Sequence, residues 1–305
     1  LVKHYAIYDQ GSSPYREDGL IMGQRTFGVL DGVSMPYSPQ HPPKMFDGLS
    51  GGEMVARHCE FECKVQSGHI DPSLREVIGN ASLSLALRLN EAGLALCDLE
   101  DAGSLPGAAF AIARLFEDKI EIVQARDCMV IVEFKNGEII VSPNKARAND
   151  TEMHAHIERL QREIAQETFN LVLEEVPEDK RAQVRGEMWN RLYHILIAAC
   201  RRDVNRRESP SGYGILNGQL ELLDLLWEHT FPRDEVATLL LLSDGMIPWT
   251  VMRSTNDTEI GRTVLAEFKR RGLAGLLLSA RGTEKQTVAT SYTDQAEATA
   301  VALVF

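Results

Sequence analysis

Two apolar runs in this sequence end in Asp-Gly: Gly28-Val29-Leu30-Asp31-Gly32 and Leu241-Leu242-Ser243-Asp244-Gly245. An Asp at the end of a buried strand is held rigidly, and the glycine after it lets the backbone turn and bring its carbonyl near a ligand. Carboxylate and carbonyl oxygens are the donors that hard divalent ions prefer. Asp-Gly is also an ordinary turn. With Glu17-Asp18 ahead of the first pair and Asp127 between the two, the set points to a divalent-metal site.

Other constellations point to structure. Glu152, His154 and His156 crowd one segment, but residues i and i+2 lie on different sides of a helix, as expected of a solvated face. Arg201, Arg202, Arg206 and Arg207 form a basic run suited to a helix C-terminus, or to docking a phosphorylated substrate. Trp189, Tyr193 and Leu196 recur at core spacing. The five cysteines, Cys59, Cys63, Cys97, Cys128 and Cys200, are odd in number and irregularly spaced, which fits a reducing, cytoplasmic compartment better than a disulfide framework. Cys59 and Cys63 beside His58 lack the second ligand pair of a zinc site.

The elements that must position these residues are legible from pattern. Strands are expected at Lys3 to Tyr8, Arg25 to Leu30 (stopped by Asp31-Gly32), Ala108 to Phe116, Lys119 to Ala125, Cys128 to Phe134, Glu138 to Ser142 after the Asn136-Gly137 turn, Val236 to Leu242 and Ala298 to Phe305. Helices are expected from Glu53 to Lys64, from Pro72 to Leu96 and from Glu259 to Arg271, with Ser34 to Gly52 a loop. Strands and helices in separate blocks indicate an α+β layered domain spanning 1–305. Residues 151–203, charged and helical with Pro177 dividing them, read as a helical insertion that serves as a lid, a docking element or a stabilising hairpin. Neither the charge of −12 nor the pI near 5.2 suits nucleic acid or an anionic membrane. No apolar run reaches the ~20 residues of a membrane span, and Leu1 to Gln10 lack signal-peptide features.

Taken in order, the motifs resemble those of the metal-dependent Ser/Thr protein phosphatases, the type 2C or PPM family. Glu17-Asp18 with Phe27 to Gly32 resembles the family's "ED…FxVxDG"; Gly107-Ala108-Ala109 stands at its "SGxTA" strand. Ala125-Arg126-Asp127-Cys128 resembles "GDSR", Leu239 to Gly245 matches "LLLxSDG", and Ala298 to Phe305 resembles the last "DNxTxVVV" strand. Gly212 to Gly218 is similar to a glycine-rich, substrate-side segment of bacterial members. The resemblance implies a central β-sandwich of two antiparallel sheets flanked by helices. It also implies two Mn²⁺ or Mg²⁺ ions, possibly a third, and hydrolysis of phosphorylated proteins by a metal-activated water. On this chain Asp31 would bridge two ions, the Gly32 carbonyl and Asp244 would ligate them, Glu17 and Asp18 would support them through water, and Asp127 with Asp244 would serve a third. The pattern departs at Arg126 (a family glycine), Met35 (another) and Ala296 (a metal-binding Asp, for which Asp294 is the expected substitute ahead of Glu297). The phosphate-binding arginine is also displaced: Ser13 has its spacing and Arg16 is the nearest arginine. These departures keep open an alternative, a catalytically degenerate member that acts as a binding module.

Overall fold

Gly107–Leu115 and Met129–Phe134 are buried at every position. A strand with one wet face alternates apolar and polar residues, so these two need cover on both sides. The computed structural model describes residues 2–34, 36–66, 72–94, 102–252, 254, 256–291 and 296–305. In chain order the strands are β1 (Lys3–Asp9), β2 (Gly19–Met22), β3 (Thr26–Val33), β4 (Met45–Phe46), β5 (Leu49–Ser50), β6 (Gly107–Leu115), β7 (Lys119–Ala125), β8 (Met129–Phe134), β9 (Ile139–Val141), β10 (Trp227–Pro232), β11 (Val236–Leu242) and β12 (Ala298–Val304). The helices are α1 (Gly51–Gln66), α2 (Leu74–Glu91), α3 (Arg147–Phe169), α4 (Glu178–Asp203), α5 (Trp249–Met252) and α6 (Asp257–Ser291).

Two five-stranded antiparallel sheets, β1-β12-β11-β8-β9 and β10-β7-β6-β3-β2, pack face to face. Val29, Ala111, Ile122, Val130, Leu241 and Val301 interdigitate between them. Their outer faces are covered in turn. Leu30, Phe110 and Ile112 meet Met54, Val55 and Ile78 of α1 and α2, and Ile131, Leu240 and Ala300 meet Ile260, Val264 and Leu276 of α6. The expected α+β sandwich flanked by helices is therefore present.

Several boundaries differ from expectation. Asp31 and Gly32 lie inside β3, because their pairing with Ala109 and Ala108 of β6 carries the ladder on to Val33, and Gly32 meets other backbone too closely for any side chain. A Cβ there would stand 2.6 Å from the Gly52 carbonyl oxygen. The segment expected as loop holds the β4–β5 hairpin, turned by Asp47 and Gly48 at positive φ (51° and 84°). Pro72 precedes α2, whose N-cap is Ser73 in a capping box with Glu76. That helix ends at Glu91, short of Leu96, ahead of Gly93 (φ 83°). Helix α6 runs on past Arg271 across a break at Gly272 (φ 70°), because the chain beyond it is again helical. The helical segment starts at Arg147, four residues before the expected bound, and α3 and α4 form a hairpin with its own core of Leu160, Ile164, Val184, Met188 and Leu192. Among the described residues no helix is long and apolar enough to cross a membrane.

Candidate metal centre

One end of the sandwich collects the acidic residues. Strand pairing puts the last residues of β3, β7 and β11 beside the first residues of β6, β8 and β12. Asp31 has the strand parity of Val29, so its side chain faces the space between the sheets. Asp127 sits in the turn that carries the chain from β7 in one sheet to β8 in the other, and Asp244 opens the 3-10 turn Asp244–Met246 after β11. Gly245 is required there, since a Cβ would collide with the Glu297 carbonyl.

Asp18 is buried, and Ser243 Oγ and Thr299 Oγ1 both donate to its Oδ2 (3.0 and 2.7 Å). Glu17 accepts from Ser34 and, at 2.6 Å, from Ser50. Glu297, beside β12, accepts from the backbone N–H groups of Glu17 and Asp18 (2.6 and 2.9 Å) and from the Tyr8 hydroxyl (2.8 Å). The sequence pattern offers Glu297 only as a ligand, behind Asp294. In the structure it positions the Glu17-Asp18 pair, a role set by cross-sheet register.

Mutual repulsion marks the cluster. Burial, then Asp18, Asp244 and Asp127, push the Asp31 carboxyl well above its ordinary range. Burial and Asp127 raise Asp244 to about 7, and burial with Glu297 raises Asp18 to about 8. Asp150, in the first turn of α3, joins the set: burial and Asp127 raise it to about 7. Its position just outside the expected insertion hid it, and its only sequence signal is an acid at a helix N-terminus. Among the described residues no three acidic, His or Cys side chains stand at metal-ligand spacing. The donors fit a hard divalent ion nonetheless. They are all oxygen, and Asp127, 5% exposed, keeps a buried Oδ1 with no hydrogen-bond partner.

Two cavities flank this end. One, of about 510 Å³, is lined by Asp127, Asp150 and Asp244 with His154 and Trp249. The other, of about 850 Å³, lies between the proline-rich segment 36–43 and α3–α4 and reaches Arg126 and Asp150.

No protein-family model and no curated protein matches the chain. Solved structures do. A bacterial serine phosphatase aligns over 100% of this chain and 98% of its own at 13% identity and TM-score 0.52. The Mycobacterium tuberculosis serine/threonine phosphatase PstP/Ppp aligns over 100% and 98% at 12% identity and TM-score 0.53. The catalytic domain of PstP in complex with 2 manganese ions aligns over 99% and 97% at 14% identity and TM-score 0.51. The chain has the type 2C phosphatase fold.

Within the type 2C fold the chain's own departures can be placed. Arg16 is exposed, lies over the Tyr8 ring (4.7 Å) and shares a small cavity with Asp18, Glu53 and Arg57. Asp294 and Met35 lie outside the described residues. Arg126, where the type 2C pattern has glycine, stands at φ 63°, with its guanidinium 3.4 Å from Asp127. Of the residues set aside as structural, Arg202 pairs with Asp203 and Glu152, and Tyr193 stacks on His41 (4.0 Å).

Proposed function

We propose that this chain is a divalent-metal-dependent phosphohydrolase that acts on Ser/Thr-phosphorylated proteins. The observation that carries the reading is the partly or wholly buried carboxylate cluster at the sandwich end, with Asp127 Oδ1 unpartnered. The fold supports it, since the aligned structures are serine or serine/threonine phosphatases and one of them holds 2 manganese ions. Asp31 and Asp244 would hold Mn²⁺ or Mg²⁺, with Asp18, Glu17 and the Gly32 carbonyl around them and Asp294 completing the set, and Asp127 would stand on the side where the resemblance places a third ion. Bound there, the ions would supply Lewis-acid stabilisation of phosphoryl oxygens and a water of lowered pKa. The chain's own part is positional. Glu297 fixes the Glu17-Asp18 backbone, and Ser243 and Thr299 orient Asp18. Exposed Arg16 is the candidate for contacting the phosphate. The odd number and irregular spacing of the cysteines support a reducing, cytoplasmic setting. Arg126, a fixed cation among the acids, favours a second reading in which the fold binds phosphoproteins without turnover.

Turnover of p-nitrophenyl phosphate separates these readings. Hydrolysis with Mn²⁺ is expected, and it should disappear in excess chelator. Asp31→Asn and Asp244→Asn should each reduce it by at least ~100-fold. Activity that persists in chelator overturns the metal mechanism. No turnover at millimolar Mn²⁺ favours the binding module.

A further inference from the structure

Arg126 occupies a backbone conformation that arginine rarely adopts. Four described non-glycine residues have positive φ, and the other three, Asp47, Asn170 and Asn205, are the Asp and Asn types that tolerate it. Strain of this kind persists where the surroundings hold it in place. The Arg126 carbonyl accepts from Gln124 Nε2 (2.9 Å), which anchors the turn. Its side chain is 19% exposed and points into the acid cluster, with Nη1 3.4 Å from Asp127 Oδ2 and the guanidinium 5.7 Å from the Tyr213 ring centre. Asp31, Asp150 and Asp244 all lie within reach of its charge.

Yet the pairing is poor. A structural arginine beside a carboxylate forms a two-pronged set of hydrogen bonds near 2.8 Å. Here the contact is single and long, and Arg126 Nε and Asp127 Oδ1 are both buried without hydrogen-bond partners. The guanidinium thus offsets charge in the cluster while leaving donor oxygens unspent. A small divalent ion on the Asp127 and Asp150 side would need the volume and the charge balance that Arg126 now supplies.

We propose that Arg126 is a resident cation that takes the place of one divalent ion on the Asp127–Asp150 side of the cluster, so that the chain binds one Mn²⁺ fewer than the same site with glycine at position 126. This rests on the metal-centre reading given above. The charge is always present, because arginine does not deprotonate in proteins. Its charge therefore stays in the cluster throughout the range in which the acids titrate.

The test compares the full chain with Arg126→Gly, which suits a φ of 63° and removes the charge, and with Arg126→Lys, which keeps the charge. After metal removal, bound Mn²⁺ is counted by equilibrium dialysis and thermal unfolding is followed with and without Mn²⁺. Arg126→Gly should bind one Mn²⁺ more per chain than the wild type, with that site about tenfold or more tighter than any weak wild-type binding. Its metal-free form should melt lower than the wild type and recover on adding Mn²⁺, and Arg126→Lys should bind as the wild type does. Should metal-free Arg126→Gly not fold, protein prepared in Mn²⁺ is counted by native mass spectrometry, and the extra ion is again expected. Equal stoichiometry and affinity in wild type and Arg126→Gly overturn the proposal and leave the metal centre standing. An equal gain in Arg126→Lys assigns the effect to shape rather than charge, and also overturns it. If neither protein binds Mn²⁺ at millimolar concentration, both the proposal and the metal-centre reading fail.

Discussion

The Glu297 carboxylate joins three stretches of chain: it accepts from the Tyr8 hydroxyl and from the Glu17 and Asp18 N–H groups. At 9% exposure it has little water to fall back on. Truncation leaves two backbone donors and a hydroxyl without their acceptor, at ~1–3 kcal/mol each when buried. Glu297→Ala should therefore lower unfolding stability by about 2–4 kcal/mol in urea melts and weaken Mn²⁺ binding, with Glu297→Gln recovering part of both. A variant as stable as the wild type would show that Glu297 does not hold the Glu17-Asp18 pair. Residue type alone marked Asp31, Asp127 and Asp244, because an acid beside an apolar strand is conspicuous. Glu297 was legible only as an acid near a strand, since its acceptors' partners lie about 280 residues away in sequence.

At the scale of elements, the α3–α4 hairpin and the proline-rich segment enclose the cavity of about 850 Å³ beside the acid cluster. They are held together by His41 stacked on Tyr193 (4.0 Å) and by Gln40 N–H donating to Asn190 Oδ1 (3.2 Å). Position 186 on α4 tests whether this space receives a substrate. A Cβ at Gly186 would stand 3.7 Å from Pro39 Cγ, an ordinary contact, so a larger side chain can enter the cavity without a clash at its root. Gly186→Leu should leave stability unchanged or raise it by ~0.5–1 kcal/mol, because glycine weakens a helix interior. Phosphoprotein turnover should fall by about tenfold or more while p-nitrophenyl phosphate turnover stays within about twofold. Equal losses on both substrates would exclude a docking role for the cavity. The two helices α3 and α4 were legible from charge and from Pro177, but the cavity they line was not, since which face turns inward depends on what α4 meets.

Across the whole molecule, pH and metal should act against each other. Asp18 at about 8, and Asp150 and Asp244 at about 7, sit above the ordinary carboxylate range, chiefly through burial and then through one another's charge. A folded-state pKa above the unfolded one means that the fold holds more protons between the two values. These groups therefore favour folding below pH ~4 and withdraw that support as pH rises towards ~8. Asp203, held well below its usual range despite burial by Arg202, Ser209, Ser211 and Asn149, acts in the opposite sense, but only in acid. Metal-free protein should thus melt at progressively lower temperature from about pH 5 to about pH 8.5, and saturating Mn²⁺ should flatten or reverse the trend. A metal-free melting temperature that rises across this range would show that the acids do not share one buried space.

The sequence by itself marked eight of the ten sandwich strands, all but β2 and β10, together with the Asn136-Gly137 hairpin, the helical character of 151–203 and the acids next to apolar strands. Each of these rests on a local cause: a two-residue period, a turn type, a proline, or an Asp-Gly at the end of an apolar run. Only the tertiary structure decided that Asp31 lies within β3, that Asp150 and Arg126 enter the cluster, and that Glu297 holds Glu17 and Asp18 in place. Those facts depend on the register between strands far apart in sequence and on the placement of the first turn of α3 near Asp127. Neither leaves a periodic trace along the chain, because a side chain's charge environment is set by neighbours in space.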